Sequence, residues 1–81
     1  MTVIIGIQVS DRENSSSKLQ EILTSYGCFI KTRLGLHNTS SETCYPNGII
    51  LLELTDKSKA DNLISELNKA GGFRTQKMTF E

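Results

Sequence analysis

The residues best suited to chemistry stand in one short stretch, Asp11-Arg12-Glu13-Asn14-Ser15-Ser16-Ser17. It carries carboxylates, a guanidinium, an amide and hydroxyls, and it joins an apolar alternating run to a helical one. A helix N-terminus leaves its first backbone amides without acceptors and holds the positive end of the helix dipole, so such a place favours an anion. Arg12 adds a planar fork for a carboxylate or phosphate. Asp11, Arg12, Asn14 and Ser15 are therefore the candidate ligand-binding residues, with a small anionic metabolite as the ligand class. The competing reading makes the same residues ordinary helix caps facing water.

His37 and Cys44 are the other chemistry-bearing pair, since imidazole and thiolate are ligands for nickel, copper or zinc. Two ligands at this spacing do not complete a site in one chain, so no metal and no cofactor is expected. A metal-binding alternative would have to combine His37 and Cys44 from several copies. No basic neighbour or helix N-terminus is evident to activate the Cys44 thiol. Cys28 reads as a small core residue. No catalytic constellation assembles, so the expectation is a protein that is not an enzyme.

The chain has 81 residues, nine Lys plus Arg against nine Asp plus Glu, and 37% hydrophobic residues. That length suits a single domain spanning 1–81. A net charge of zero gives no electrostatic footprint for direct contact with nucleic acid. Two cysteines are too few for a disulfide framework, and no basic, apolar leader precedes Val3. The longest aliphatic run, Ile49 to Leu52, is far shorter than the roughly 20 residues that cross a bilayer. A cytoplasmic protein without a membrane partner is the expectation.

The elements that must position these residues follow from periodicity. Val3, Ile5, Ile7 and Val9 alternate with more polar neighbours, as in a strand with one buried face. Leu19, Ile22, Leu23 and Tyr26 recur at helical spacing, and Gly27 offers a left-handed C-terminal cap. A second strand is expected from there, with Cys28, Ile30, Thr32, Leu34 and Leu36 on one face and Phe29, Lys31, Arg33 and His37 on the other. Asn38 to Asn47 reads as a hairpin connection. Gly48 to Thr55 makes a third strand, with Ile50, Leu52 and Leu54 facing the core. Asp56 or Ser58 caps a second helix bearing Ala60, Leu63, Ile64 and Leu67, and Gly71-Gly72 ends it. Phe73 to Phe80 alternates again as a polar edge strand.

The halves echo each other. Val9-Ser10-Asp11 resembles Leu54-Thr55-Asp56, and Tyr26-Gly27-Cys28-Phe29 resembles Ala70-Gly71-Gly72-Phe73. Each half is thus strand, crossover helix, strand. Right-handed crossovers put both helices on one face of a four-stranded antiparallel sheet, a ferredoxin-like βαββαβ arrangement of the α+β class. The bare face would carry Ile4, Phe29, Ile49, Leu51 and Phe73. It is too apolar for water, and a second copy is its expected cover, in a dimer or tetramer.

Other functions hosted by this fold lack their residues. The central strands have no stacking aromatics for RNA, and the first strand-to-helix loop has neither paired cysteines for copper nor a glycine-rich phosphate cradle. Ile5-Gly6-Ile7-Gln8-Val9-Ser10-Asp11-Arg12, then Gln20-Glu21-Ile22-Leu23 with Tyr26-Gly27, and Ile30-Lys31-Thr32-Arg33-Leu34-Gly35-Leu36, together resemble a known family. It is that of the iron-only hydrogenase system regulators, small ACT-like proteins related in fold to the C-terminal domain of nickel-responsive repressors. The resemblance implies an ACT-like fold, oligomerisation and a regulatory role without catalysis. The Pro-Gly turn of amino-acid-binding ACT domains does not follow Asp11-Arg12, and the His-x-His ligand spacing of the nickel repressors is absent. The expected function is a small-molecule-sensing regulator of a hydrogenase system, with a transition-metal module and a small enzyme as alternatives.

Overall fold

The computed structural model describes residues 1–9, 12–39 and 44–81, and the side chains of 12–16, 36–39 and 44–47 lie outside that description. The elements are β1 (Thr2–Val9), α1 (Arg12–Ser25), a 3-10 turn (Gly27–Phe29), β2 (Ile30–Thr39), β3 (Cys44–Leu54), α2 (Lys57–Ala70) and β4 (Phe73–Phe80). The strands form one antiparallel sheet in the order β2-β3-β1-β4. β1 therefore runs parallel to β2 with β3 between them, and β3 parallel to β4 with β1 between them. This interleaving of two βαβ units is the ferredoxin-like α+β fold.

The core follows the alternation in β1. Val3, Ile5, Ile7 and Val9 are buried with Leu52 and Leu54 of β3. Leu19, Ile22 and Leu23 of α1 and Ala60, Leu63 and Leu67 of α2 join the same cluster, so both helices cover one face of the sheet. Asp56 caps α2, its carboxylate accepting from the Lys59 amide at 3.2 Å and the Ser58 hydroxyl at 2.9 Å. Those two hydrogen bonds, Ser58 first, hold the Asp56 carboxyl below its ordinary range. The helix ends where Gly71 turns to φ 77° and donates its amide to the Leu67 carbonyl at 3.3 Å. Among the described residues only Gly71 and Gly72 take positive φ, so Gly27 is not a left-handed cap and instead opens the 3-10 turn.

That turn corrects the expected second strand. Gly27–Phe29 is taken up before β2 begins, and a register shift falls between Ile30 and Thr32. The irregularity inverts the alternation: Ile30 packs against the core, while Leu34 pairs with Leu51 on the bare face and is 53% exposed. Cys28 is exposed and not a core residue. The expected long connection is also shorter, since β2 runs to Thr39 and β3 begins at Cys44, the two residues being partners. Pro46 is tolerated within β3 because the described pairing with β1 starts only at Ile49, and the pairing with β2 shifts register between His37 and Thr39.

Candidate functional site

Backbone register arranges the bare face as a grid. Glu53, Ile4 and Met78 form one row across β3, β1 and β4; Leu51, Gly6 and Gln76 form the next; Ile49, Gln8 and Arg74 form the third. On β2, Thr32 continues the first row and Leu34 the second. Thr2 and Phe80 extend the face at the far end of β1 and β4. Ile49, Leu34, Met78 and Phe80 are exposed, the last two by 56% and 57%. Exposed single apolar residues are ordinary, but here they share one face with Ile4 and Leu51, and no described helix covers it.

Gly6 sits at the centre of the grid. It lies in the floor, with Ile4 and Leu51, of an open trough of about 640 Å³ whose rim includes Gln8, Arg74 and Met78. A Cβ at Gly6 would stand 3.7 Å from Leu51 Cδ2, ordinary van der Waals distance, so the trough does not depend on strained backbone. At the opposite corner the Glu53 carboxylate accepts from the Thr32 hydroxyl at 2.9 Å and lies 3.9 Å from Lys31 Nζ.

The structure corrects two residues expected on this face. Phe73 pairs with Val9 and packs against the core, because antiparallel partners point the same way. Thr75 and Lys77 follow it to the helix side, where α2 supplies polar partners: the Thr75 hydroxyl lies 3.4 Å from Asn68 Oδ1 and Lys77 Nζ 2.9 Å from Asp61 Oδ1. Arg74, Gln76, Met78 and Phe80 take the bare face instead. Phe29 is in the 3-10 turn, with the Lys59 ammonium 4.8 Å from its ring centroid and Tyr26 6.4 Å away. Burial, and then the Glu66 carboxylate, raise the Tyr26 hydroxyl above its ordinary pKa. Ile4, Ile49 and Leu51 stand where their alternation puts them, and Leu34 and Met78 join them through pairings that periodicity misassigned.

The anion candidates fall at the start of α1. Arg12, Asn14 and Ser15 lie in its opening residues, with side chains outside the described set, and Asp11 lies outside the described residues altogether. His37 pairs with Gly48 and Cys44 with Thr39, which puts both on the β2–β3 hairpin, again with side chains outside the description. Among the described residues no three His, Cys, Asp or Glu side chains gather around a common point. No described helix is long and apolar enough to cross a membrane.

No protein-family model matches the chain, and no curated protein matches it. Solved structures do. The uncharacterized protein TM1266 from Thermotoga maritima is 28% identical over 95% of this chain and 92% of its own, with a TM-score of 0.77. The dehydrochlorinase TftG from Burkholderia phenoliruptrix AC1100, solved with 2,5-dihydroxybenzoquinone, is 13% identical over 100% of this chain and 94% of its own, with a TM-score of 0.67. A formyltetrahydrofolate deformylase from Pseudomonas putida KT2440 is 12% identical with a TM-score of 0.56, and the match covers 98% of this chain but 29% of the deformylase. The chain shares an ACT-like, ferredoxin-like fold with such structures.

Proposed function

We propose that this chain is a non-enzymatic regulatory domain of the cytoplasm that senses a small anionic molecule and works as a homo-oligomer, built on the face its helices leave bare. The observation that carries this reading is the contiguous apolar surface of Ile4, Leu34, Ile49, Leu51 and Met78 on a sheet with one covering layer. A domain of 81 residues gains by burying it. At roughly 25 cal/mol per Å², removing several hundred Å² from water contributes on the order of 10 kcal/mol before association costs.

The ligand site of this reading is the start of α1, with Asp11, Arg12, Asn14 and Ser15 offering charge and hydrogen bonds to a carboxylate or phosphate. The resemblance of the first 36 residues to iron-only hydrogenase system regulators points to such a system as the regulated target. With no DNA-reading element in its sequence, the chain would act through another polypeptide. Light scattering after size exclusion tests the assembly: a dimer or tetramer is expected, and a 9.0 kDa monomer at micromolar concentration overturns it. Deleting the coding sequence in its host tests the target, with hydrogenase activity and hydrogenase transcript level as readouts; no change in either removes the hydrogenase assignment.

A further inference from the structure

On the bare face Arg74 and the Glu53 carboxylate, the latter with Lys31 Nζ 3.9 Å away, take opposite corners, and Gly6 lies midway between them. Glu53 is in the row of Ile4 on β3, Arg74 in the row of Gln8 on β4, and Gly6 occupies the row between on β1, the strand between β3 and β4. With strands about 4.8 Å apart and about 3.4 Å per residue, each charge stands roughly 8 Å from Gly6, in opposite directions.

We infer that a second copy of the chain crosses this face on a two-fold axis that passes over Gly6 and runs perpendicular to the Glu53–Arg74 diagonal, so that Arg74 of each copy meets Glu53 of the other. The inference rests on the self-association proposed above and adds its orientation. A two-fold interface is self-complementary, so each residue's position under the axis names its partner. An axis along the strands would set Arg74 against Ile49 of the second copy, and an axis across the strands would set it against Met78. Both bury a guanidinium and a carboxylate on apolar side chains, which is strongly disfavoured. The diagonal axis pairs both charges twice over.

Local geometry prepares the contact. Thr32 fixes the Glu53 carboxylate with a 2.9 Å hydrogen bond, while Lys31, 3.9 Å away and 66% exposed, compensates its charge only loosely. Arg74 has no hydrogen-bond or ion-pair partner among the described residues and is exposed on the edge strand. Gly6 has no side chain, which lets two backbones approach on the axis itself. The two sheets then cross steeply, nearer the orthogonal class of sheet packing than the aligned one.

A charge-swap cycle on the full chain, read by sedimentation equilibrium, tests the orientation. Arg74→Glu and Glu53→Arg each place like charges together and should weaken self-association about tenfold or more. The double variant restores opposite charges and should return to within about threefold of wild type, the pairwise coupling such a cycle isolates. Single variants that associate like wild type, or a double variant no better than the worse single one, overturn the orientation while leaving self-association standing. A wild-type monomer overturns both. Arg74→Glu changes a solvent-facing edge residue, so its result stands even where Glu53→Arg disturbs the pairing beside Lys31.

Discussion

At the residue scale, the proposed function rests on a few polar groups whose roles differ in how they can be tested. Arg12 begins α1, and its proposed part is to hold an anion beside the amides of the first turn. Losing a charge-assisted hydrogen bond costs about 1.5–3 kcal/mol, roughly ten- to a hundredfold in affinity. A thermal-shift screen of anionic metabolites, then titration of the best one into wild type and Arg12→Ala, should show that loss with little change in unliganded stability. Equal affinities would place the ligand elsewhere. His37 and Cys44 are the counter-case, since they supply two ligand types per chain and share one hairpin. Metal analysis of purified protein should find no stoichiometric nickel or zinc; about one equivalent, lost in His37→Ala, would promote the metal-binding alternative.

At the scale of elements, α2 shows most directly how sequence becomes structure. Asp56 takes extended backbone angles, accepts from Ser58 and Lys59, and thereby ends the orphaned state of a first-turn amide. Because those bonds favour the carboxylate, its folded pKa lies below the unfolded one. The stabilisation is present above the ordinary aspartate value of about 3.9 and is lost as pH falls through the lower folded value. Thermal melts should therefore separate wild type from Asp56→Ala at pH 7, with the gap narrowing as pH falls below about 3.9. A gap that is constant across this range would assign the effect to helix propensity and not to the carboxylate. At the other end Gly71 combines φ 77° with ψ 164°, a conformation only glycine adopts without strain, although a Cβ there would meet no atom within 4 Å.

At the scale of the whole molecule, the decisive feature is that a four-stranded sheet with both helices on one side has two apolar faces and one cover. Leu51 lies in the central row of the uncovered face, beside Gly6. Leu51→Lys would put an ammonium in the middle of the proposed contact and should convert the oligomer to monomer with the fold intact. Lys57→Glu, exposed at the start of α2 on the helix side, should leave the mass unchanged. Light scattering of the two variants side by side is the check. A Leu51→Lys protein that keeps its oligomeric mass would move the interface off this face.

The sequence by itself determined the element order, the core of β1, the apolar stripes of α1 and α2 and the stop at Gly71-Gly72. Each depends on local periodicity or on a backbone preference carried by one or two residues. It also determined half of the bare face: once Val3, Ile5 and Ile7 face the core, Ile4 and Gly6 must face away, and Ile50, Leu52 and Leu54 set Ile49, Leu51 and Glu53 the same way. The edge strands were decided only by tertiary pairing. On β2, a short turn and a register shift near Lys31 invert the alternation, so Leu34 faces outward. On β4, polar Thr75 and Lys77 point to the helix side because Asn68 and Asp61 of α2 receive them there. That placement sends Phe73 to the core and Arg74 to the bare face. Polarity alone could not assign it, because a polar residue is satisfied equally well by water or by a helix side chain, and only the folded register says which one is present.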